Sequence, residues 1–257
     1  HLTEVQLKDG GPICVDFDFR YAYDVTERQH TMDHIQDMVL LYLDELKELF
    51  KFDSSKSFDI FIFEKPNVNR LEDKNLTKDG IHMLINIKTD HIMQQILRDK
   101  IIKELEKIWD FPLTNEWASV LDEGISKGTT NWQLFGSCKP HNETYLMTGH
   151  YNIGYDDDDG EFTMEELDVN DFDFKKNFHN ICAQNSNLHE YEMTITGEEK
   201  YQDLKSSFTS KVKSKTRVKR LIIESDLLDN NGNISLENIK TKKQLEVAVN
   251  KLLESLT

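Results

Sequence analysis

Along the first 140 residues the spacing of hydrophobic positions changes in a regular order, and each change marks an element. Residues 12–19 open on an apolar run and read as a buried strand. In HTMDHIQDMVLLYLDELKELF (30–50), Ile35, Met38, Val39, Tyr42, Leu43, Leu46 and Leu49 fall on one helical stripe. SFDIFIFE (57–64) alternates as a strand, and GIHMLINI (80–87) reads as another after a polar loop holding Pro66 and Asn67. Asp90 to Trp109 predicts a second helix, with Ile92, Ile96, Ile101, Leu105 and Ile108 on one face. NWQLFGS (131–137) predicts a further strand. The order β-α-β-β-α-β is that of a ferredoxin-like, RRM-like unit. It places the chain in the mixed α/β (α+β) class, an antiparallel sheet with two helices on one face and the other face free for a site. That frame hosts many chemistries, so function has to come from particular residues.

Beyond the unit, TYLMTGHYNIGY (144–155) predicts one or two additional strands, and 168–184 a helix. TKKQLEVAVNKLLESL (241–256) predicts an amphipathic helix whose Leu245, Val249, Leu252 and Leu256 need a partner. The expected division is one main domain over 1–200 and a basic, partly helical extension or connector over 201–257.

Composition changes this picture in two places. The chain of 257 residues carries 47 acidic and 31 basic side chains, a net −16, which by itself argues against phosphate binding. The average conceals a contrast, however. Residues 156–173 are strongly acidic, whereas KSSFTSKVKSKTRVKR (205–220) holds seven Lys and Arg and no acid. Lys211, Lys213, Lys215, Arg217, Lys219 and Arg220 are thus candidates for contact with a nucleic-acid backbone. Mean hydropathy is −0.60, and no apolar run reaches the length of a membrane span. Three cysteines without a CxxC pair suggest a reduced, intracellular setting, and Cys138 with His141 lacks the second pair that a zinc site needs. No GxxxxGKS or GxGxxG loop is present.

The acids that matter are few. With so many carboxylates an Asp-x-Asp pair carries little weight alone, and two occur, in ICVDFDFR (13–20) and NDFDFK (170–175). In a strand, Asp16 and Asp18 point to the same sheet face while Phe17 and Phe19 face the helices. Two carboxylates held that way repel unless a cation neutralises them or a pKa rises. Hard cations such as Mg²⁺ or Mn²⁺ suit such donors. Asp171 and Asp173 sit in a polar setting and read as acids at a helix start. Asp122, after Ser-Val-Leu, is the candidate third carboxylate. His82, with Gly80 allowing close approach and Lys78 nearby, is a candidate phosphate contact.

Taken in order, Val15-Asp16-Phe17-Asp18, Gly80-Ile81-His82, Leu121-Asp122 and Phe135-Gly136-Ser137-Cys138-Lys139 resemble the archaeo-eukaryotic primase (primase-polymerase) superfamily. The form is most similar to the primase part of helicase-primases from nucleocytoplasmic large DNA viruses, over about residues 10–155. The resemblance implies the archaeo-eukaryotic primase fold and a template-dependent nucleotidyltransferase that makes primers for viral DNA replication. It implies catalytic, metal-holding Asp16, Asp18 and Asp122 with Mg²⁺ or Mn²⁺. Nucleoside-triphosphate contacts would come from Lys78, Gly80, His82, Ser137 and Lys139. Two metals would activate the attacking hydroxyl and stabilise departing pyrophosphate. Single-stranded DNA template, nucleoside triphosphates and a helicase domain C-terminal to an excised catalytic domain are the implied partners. No membrane is among them, and the implied location is the host cytoplasm. In one position the chain departs from the pattern: Gln133 stands where many relatives have Arg, and the missing guanidinium weakens triphosphate binding unless Lys127 or Lys139 compensates.

Other chemistries fit less of the chain. A glycosyltransferase uses Asp-x-Asp but not the Gly-Ile-His and Ser-Cys-Lys elements, and a polymerase-β-like enzyme places Gly-Ser before its Asp-x-Asp. A metal-dependent nuclease remains an alternative. So does an RRM-like single-strand-binding module, which calls for exposed aromatics where this chain places Asp16, Asp18 and His82.

Overall fold

The computed structural model describes residues 2–7, 10–140 and 142–208, with single positions at 239, 241 and 244. Contacts within the chain divide it after Tyr201, and everything described below belongs to the first unit. The basic residues Lys211 to Arg220 and the helix expected over 241–256 lie outside the described residues. Among the described residues, no helix is long and apolar enough to cross a membrane.

The strands are β1 (Thr3–Glu4), β2 (Gly11–Ala22), β3 (Phe58–Glu64), β4 (Asn69–Leu71), β5 (Leu76–Thr89), β6 (Trp132–Gln133), β7 (Leu146–Asp156) and β8 (Glu161–Glu166). The helices include α1 (Met32–Leu49), α2 (His91–Ile108) and three single turns, α3 (Trp117–Val120), α4 (Glu123–Ser126) and α5 (Phe174–Asn177). The main sheet is antiparallel in the order β2-β5-β3-β7-β8, with β4 added to β5. This is the mixed α+β architecture that the pattern of periods predicts.

All seven residues of the predicted α1 stripe are buried. Thr31 and His34 close a capping box at its start. Asp90 caps α2 by accepting from the Ile92 and Met93 N–H groups at 3.0 and 3.1 Å. Phe17, Phe19 and Tyr21 of β2 are fully buried on the helix side of the sheet. There Phe17 and Phe19 meet Trp109 at the end of α2, and Trp109 meets His34 of α1. Each such ring contributes roughly 1.5–3 kcal/mol by leaving water. The buried face of α2 differs from its apolar stripe: Gln94 and Arg98 are inside, while Ile108 is 55% exposed. Gln94 is inside because it faces the outer edge of β2, the end strand of the sheet. Its amide satisfies that edge's backbone, accepting from Cys14 N–H and donating to the Pro12 carbonyl, each at 3.3 Å.

Three expectations are corrected. The segment 131–137 is not a strand of the main sheet: only Trp132 and Gln133 are extended, and they pair with β1. Ser137 N–H closes a turn onto the Leu134 carbonyl, and Gly136 takes a φ of +77°, the left-handed region that ends a strand. The edge of β2 instead receives two isolated bridges, Phe17 with Leu121 and Tyr21 with Leu113. Second, 168–184 is not one helix but three short turns. Asp168 and Asp173 each accept backbone N–H groups two or three residues on, which interrupts a continuous helix. Third, the face opposite the helices is only partly free. Phe61, Phe63, Leu84, Trp132, Met147 and Ile181 form a second core there, with Phe135 and Phe172 packed against it. This double cover explains why β3 is buried on both faces rather than alternating.

Candidate active site

The part of that face left open is the part carrying the predicted chemistry. Antiparallel pairing of β2 and β5 sets Asp16 opposite His82, Asp18 opposite Gly80 and Arg20 opposite Lys78. Because side chains alternate along a strand, all six positions share one face. At position 80 any β-carbon would collide with the Phe17 carbonyl oxygen, so only glycine lets the two strands approach here.

Asp122 arrives from a different element. Its N–H donates to the Asp16 carbonyl at 2.9 Å, beside the bridge between Leu121 and Phe17. Its carboxylate caps α4 by accepting from Ile125 N–H at 2.9 Å. Underneath, the buried Arg98 guanidinium donates to the carbonyls of Leu121 at 3.0 Å and Ala118 at 2.5 Å. Arg98 therefore ties the turn that carries Asp122 to α2.

The three aspartates line a single cleft of about 980 Å³, together with Arg20, Lys65, Lys74, Lys78, Lys139, His82, Gln133 and Tyr145. Five lysine and arginine side chains share the lining with Asp16, Asp18, Asp79 and Asp122, so the cleft is close to charge balance in a chain of net charge −16. Asp18 is bound by Lys78 at 2.7 and 2.9 Å and by Arg20 at 2.9 and 3.2 Å. The His82 Nε2 lies 3.4 Å from Asp16. Burial pushes the Asp16 carboxyl upward, but the charge and hydrogen bond of His82, then Lys139 and Lys65, hold it below the ordinary aspartate value. The His82 ring is fixed between Tyr145, stacked at 3.7 Å, and Trp132 at 4.6 Å. Burial, and after it Asp16, Asp18 and Asp79, raise the Tyr145 phenol well above its usual value, so it stays protonated.

Beneath this surface, on the helix side, lies a buried charge cluster. Arg28 binds Asp79 at 2.9 and 3.1 Å and Glu64 at 2.8 Å. His30 binds the same Glu64 oxygen at 2.7 Å, and the Thr148 hydroxyl donates to the other at 2.7 Å. Asp79 sits between Lys78 and Gly80, so the cluster braces the stretch of β5 that lines the cleft.

Not every predicted residue is in the cleft. Ser137 lies outside its lining, and its hydroxyl accepts from the Leu2 N–H at 2.6 Å. Lys127, one of the two expected substitutes for an arginine at 133, also lies outside, paired with Glu123 at 2.6 Å. Gln133 lines the cleft and donates to the Ser137 carbonyl at 2.7 Å. Asp173 is a helix cap, as its polar setting suggests. Arg20, Lys65, Tyr145 and Arg98 were not among the predicted residues. Arg20 could have been found by parity, being two positions beyond Asp18, whereas the others reach the site only through tertiary packing.

Three carboxylates on neighbouring backbone segments suit a hard divalent cation in donor type. Among the described residues, however, no three His, Cys, Asp or Glu side chains converge on one point. Asp18 is drawn to Lys78 and Arg20, Asp16 to His82 and Asp122 to its cap. The donors fit in kind and share one cleft, and their charge is matched by the chain's own cations.

Residues 1–151, more than half the chain, match the family described as the C962R protein N-terminal AEP domain, AEP denoting archaeo-eukaryotic primase. The chain belongs to this archaeo-eukaryotic primase family. A protein of Acanthamoeba polyphaga mimivirus named as a helicase, L207/L206, is 34% identical over 156 residues. The match takes in 58% of this chain and 16% of the mimivirus protein. The residues that line the cleft and the family match fall on the same stretch of sequence, 1–151.

Proposed function

We propose that the chain is the catalytic domain of a primase-polymerase, a template-dependent nucleotidyltransferase that joins nucleoside triphosphates into primers on single-stranded DNA. The observation that carries this reading is the β2–β5 register, which sets Asp16, Asp18 and Arg20 against His82, Gly80 and Lys78 with Asp122 hydrogen-bonded alongside. In the reaction a hydroxyl gives up its proton to solvent and its oxygen bonds to the α-phosphorus, while the bond from the α-phosphorus to the oxygen bridging to the β-phosphate breaks and pyrophosphate leaves with that electron pair. Asp16, Asp18 and Asp122 would hold Mg²⁺ or Mn²⁺, which when bound supplies Lewis acidity to that exchange. The low proton affinity of Asp16 keeps it an oxygen donor at neutral pH. Lys78, Lys139 and His82 offer donors and positive charge where the phosphate chain lies. Gly80 keeps the floor of the cleft free of a side chain, and the Tyr145–Trp132 clamp fixes the His82 plane.

A single-strand-binding module is a poorer account. It needs aromatics on the open face, yet Phe17 and Phe19 are fully buried and the open face carries carboxylates. Lys211, Lys213, Lys215, Arg217, Lys219 and Arg220 are assigned to the template backbone on their charge. The mimivirus relative is named as a helicase, which supports a helicase region as a partner of this domain; its placement C-terminal to this domain, with a role in viral DNA replication in the host cytoplasm, is part of the same proposal.

The test is a pair of substitutions. Asp16→Ala and Asp18→Ala should each abolish primer synthesis while single-stranded DNA binding survives. Full synthesis by either variant would refute the site.

A further inference from the structure

The far wall of the cleft carries a cation that neither the sequence motifs nor the family pattern assigns. Lys65 follows the last residue of β3, and its carbonyl accepts from Arg28 at 2.6 Å, which fixes its backbone to the buried charge cluster. Its ammonium lies over the Tyr145 ring, with Nζ 4.9 Å from the ring centroid. Tyr145 in turn stacks on His82. Lys65, Tyr145 and His82 therefore form one pile, ammonium on phenol on imidazole, along the side of the cleft opposite Asp122.

What sets Lys65 apart from Lys78 is the absence of a carboxylate partner. Lys78 is matched by Asp18. Among the described residues, neither Lys65 nor Lys139 has an acid within 4.0 Å. Both line the same cleft and feel each other: burial and then Lys139 depress the Lys65 ammonium, against the opposing pull of Asp16. Holding the partly desolvated Lys65 ammonium close to the exposed Lys139 is unfavourable unless an anion joins them. The anion must be multivalent and extended enough to reach both lysines from the aspartate wall. Gln133 brings no charge to that space, and its amide donates to the Ser137 carbonyl.

Building on the nucleotidyltransferase reading, we propose that Lys65, held across Tyr145 and acting with Lys139, binds the phosphate chain of the incoming nucleoside triphosphate. Its contact is to the β- and γ-phosphates, whose charge is greatest. The stacked phenol keeps the lysine stem in place, so the ammonium is presented before the nucleotide arrives and less side-chain freedom is lost on binding.

Titration calorimetry of the full chain with ATP, inorganic tripolyphosphate and AMP in the presence of Mg²⁺ tests this. Lys65→Met keeps an apolar stem over Tyr145 and removes the charge. It should weaken ATP and tripolyphosphate by the same factor, about 10- to 100-fold for one charge-assisted contact, and leave AMP unchanged. Lys65→Arg should restore most of the loss, and Lys127→Ala, outside the cleft, should change nothing. Unchanged ATP affinity in Lys65→Met, or an equal loss of ATP and AMP, would overturn the assignment. A wild-type chain that binds none of the three would refute the nucleotidyltransferase reading along with it, a result distinguishable from the failure of Lys65 alone.

Discussion

Replacing Arg28 with alanine removes the single guanidinium that serves two buried carboxylates. The Asp79 side chain is 0% exposed and that of Glu64 6%, while Arg28 itself is 28% exposed. Arg28 makes two bonds to Asp79, one to Glu64 and one to the Lys65 carbonyl. Deleting one partner of a buried pair typically costs about 3–5 kcal/mol, because the remaining charge is stranded. Against a usual domain stability of about 5–15 kcal/mol this is a large fraction. Urea unfolding at pH 7, followed by the fluorescence of the buried Trp109, should show a lower midpoint at unchanged m. The pH dependence supplies the sign. In the native protein, burial favours protonation of Glu64, but the hydrogen bonds from His30 and Thr148, with the charge of Arg28, hold its pKa below the ordinary value. The folded state then binds fewer protons than the unfolded state around and below the usual carboxylate pKa of about 4.3. That stability is fully present above this range and is lost as pH falls through it. Without Arg28 the stranded carboxylates gain from protonation, so the gap between variant and wild type should narrow from pH 7 toward pH 4. Adding Asp79→Asn to the variant should cost less than the sum of the two single changes. A loss below about 1 kcal/mol, the scale of a surface ion pair, or a gap that stays constant with pH, would refute the reasoning.

Arg98→Ala should cut nucleotide incorporation by at least about tenfold and stability by roughly 1.5–3 kcal/mol, since a charged donor leaves two carbonyls that hold the Asp122 turn. Equal loss of activity and folded fraction would show that the effect is only structural. Gly80→Ala forces a carbon against the Phe17 carbonyl and should cost about 1–3 kcal/mol, read as a lower melting temperature, and raise the KM for nucleotide. Phe19→Ala should cost about 3–5 kcal/mol by emptying a fully buried site on the helix side, measured by the same urea titration.

What could be read in the sequence was whatever depends on local period. The α1 stripe matches the buried residues one for one, and the parity of Asp16 and Asp18 against Phe17 and Phe19 sets carboxylates on the open face and rings in the core. The motif around His82 met the Asp pair because long antiparallel strands with one buried face have a single register. Features that need a partner chosen at a distance stayed hidden. Gly136 turns the backbone after two residues of β6, and nothing in the alternation of 131–137 announces it. Lys65 and Tyr145 belong to loop edges whose meeting depends on the order of β3, β5 and β7. Arg28, His30, Glu64 and Asp79 read singly as ordinary polar residues, and only the packed sheet makes them one cluster.

The central claim is that this cleft joins nucleotides on a template. Incubating the chain with single-stranded DNA, radiolabelled nucleoside triphosphates and Mg²⁺ or Mn²⁺ tests it directly. The account predicts labelled oligomers that require the template and disappear with Asp16→Ala. Template degradation without synthesis, or no product under either cation while the folded chain binds the DNA, would contradict it.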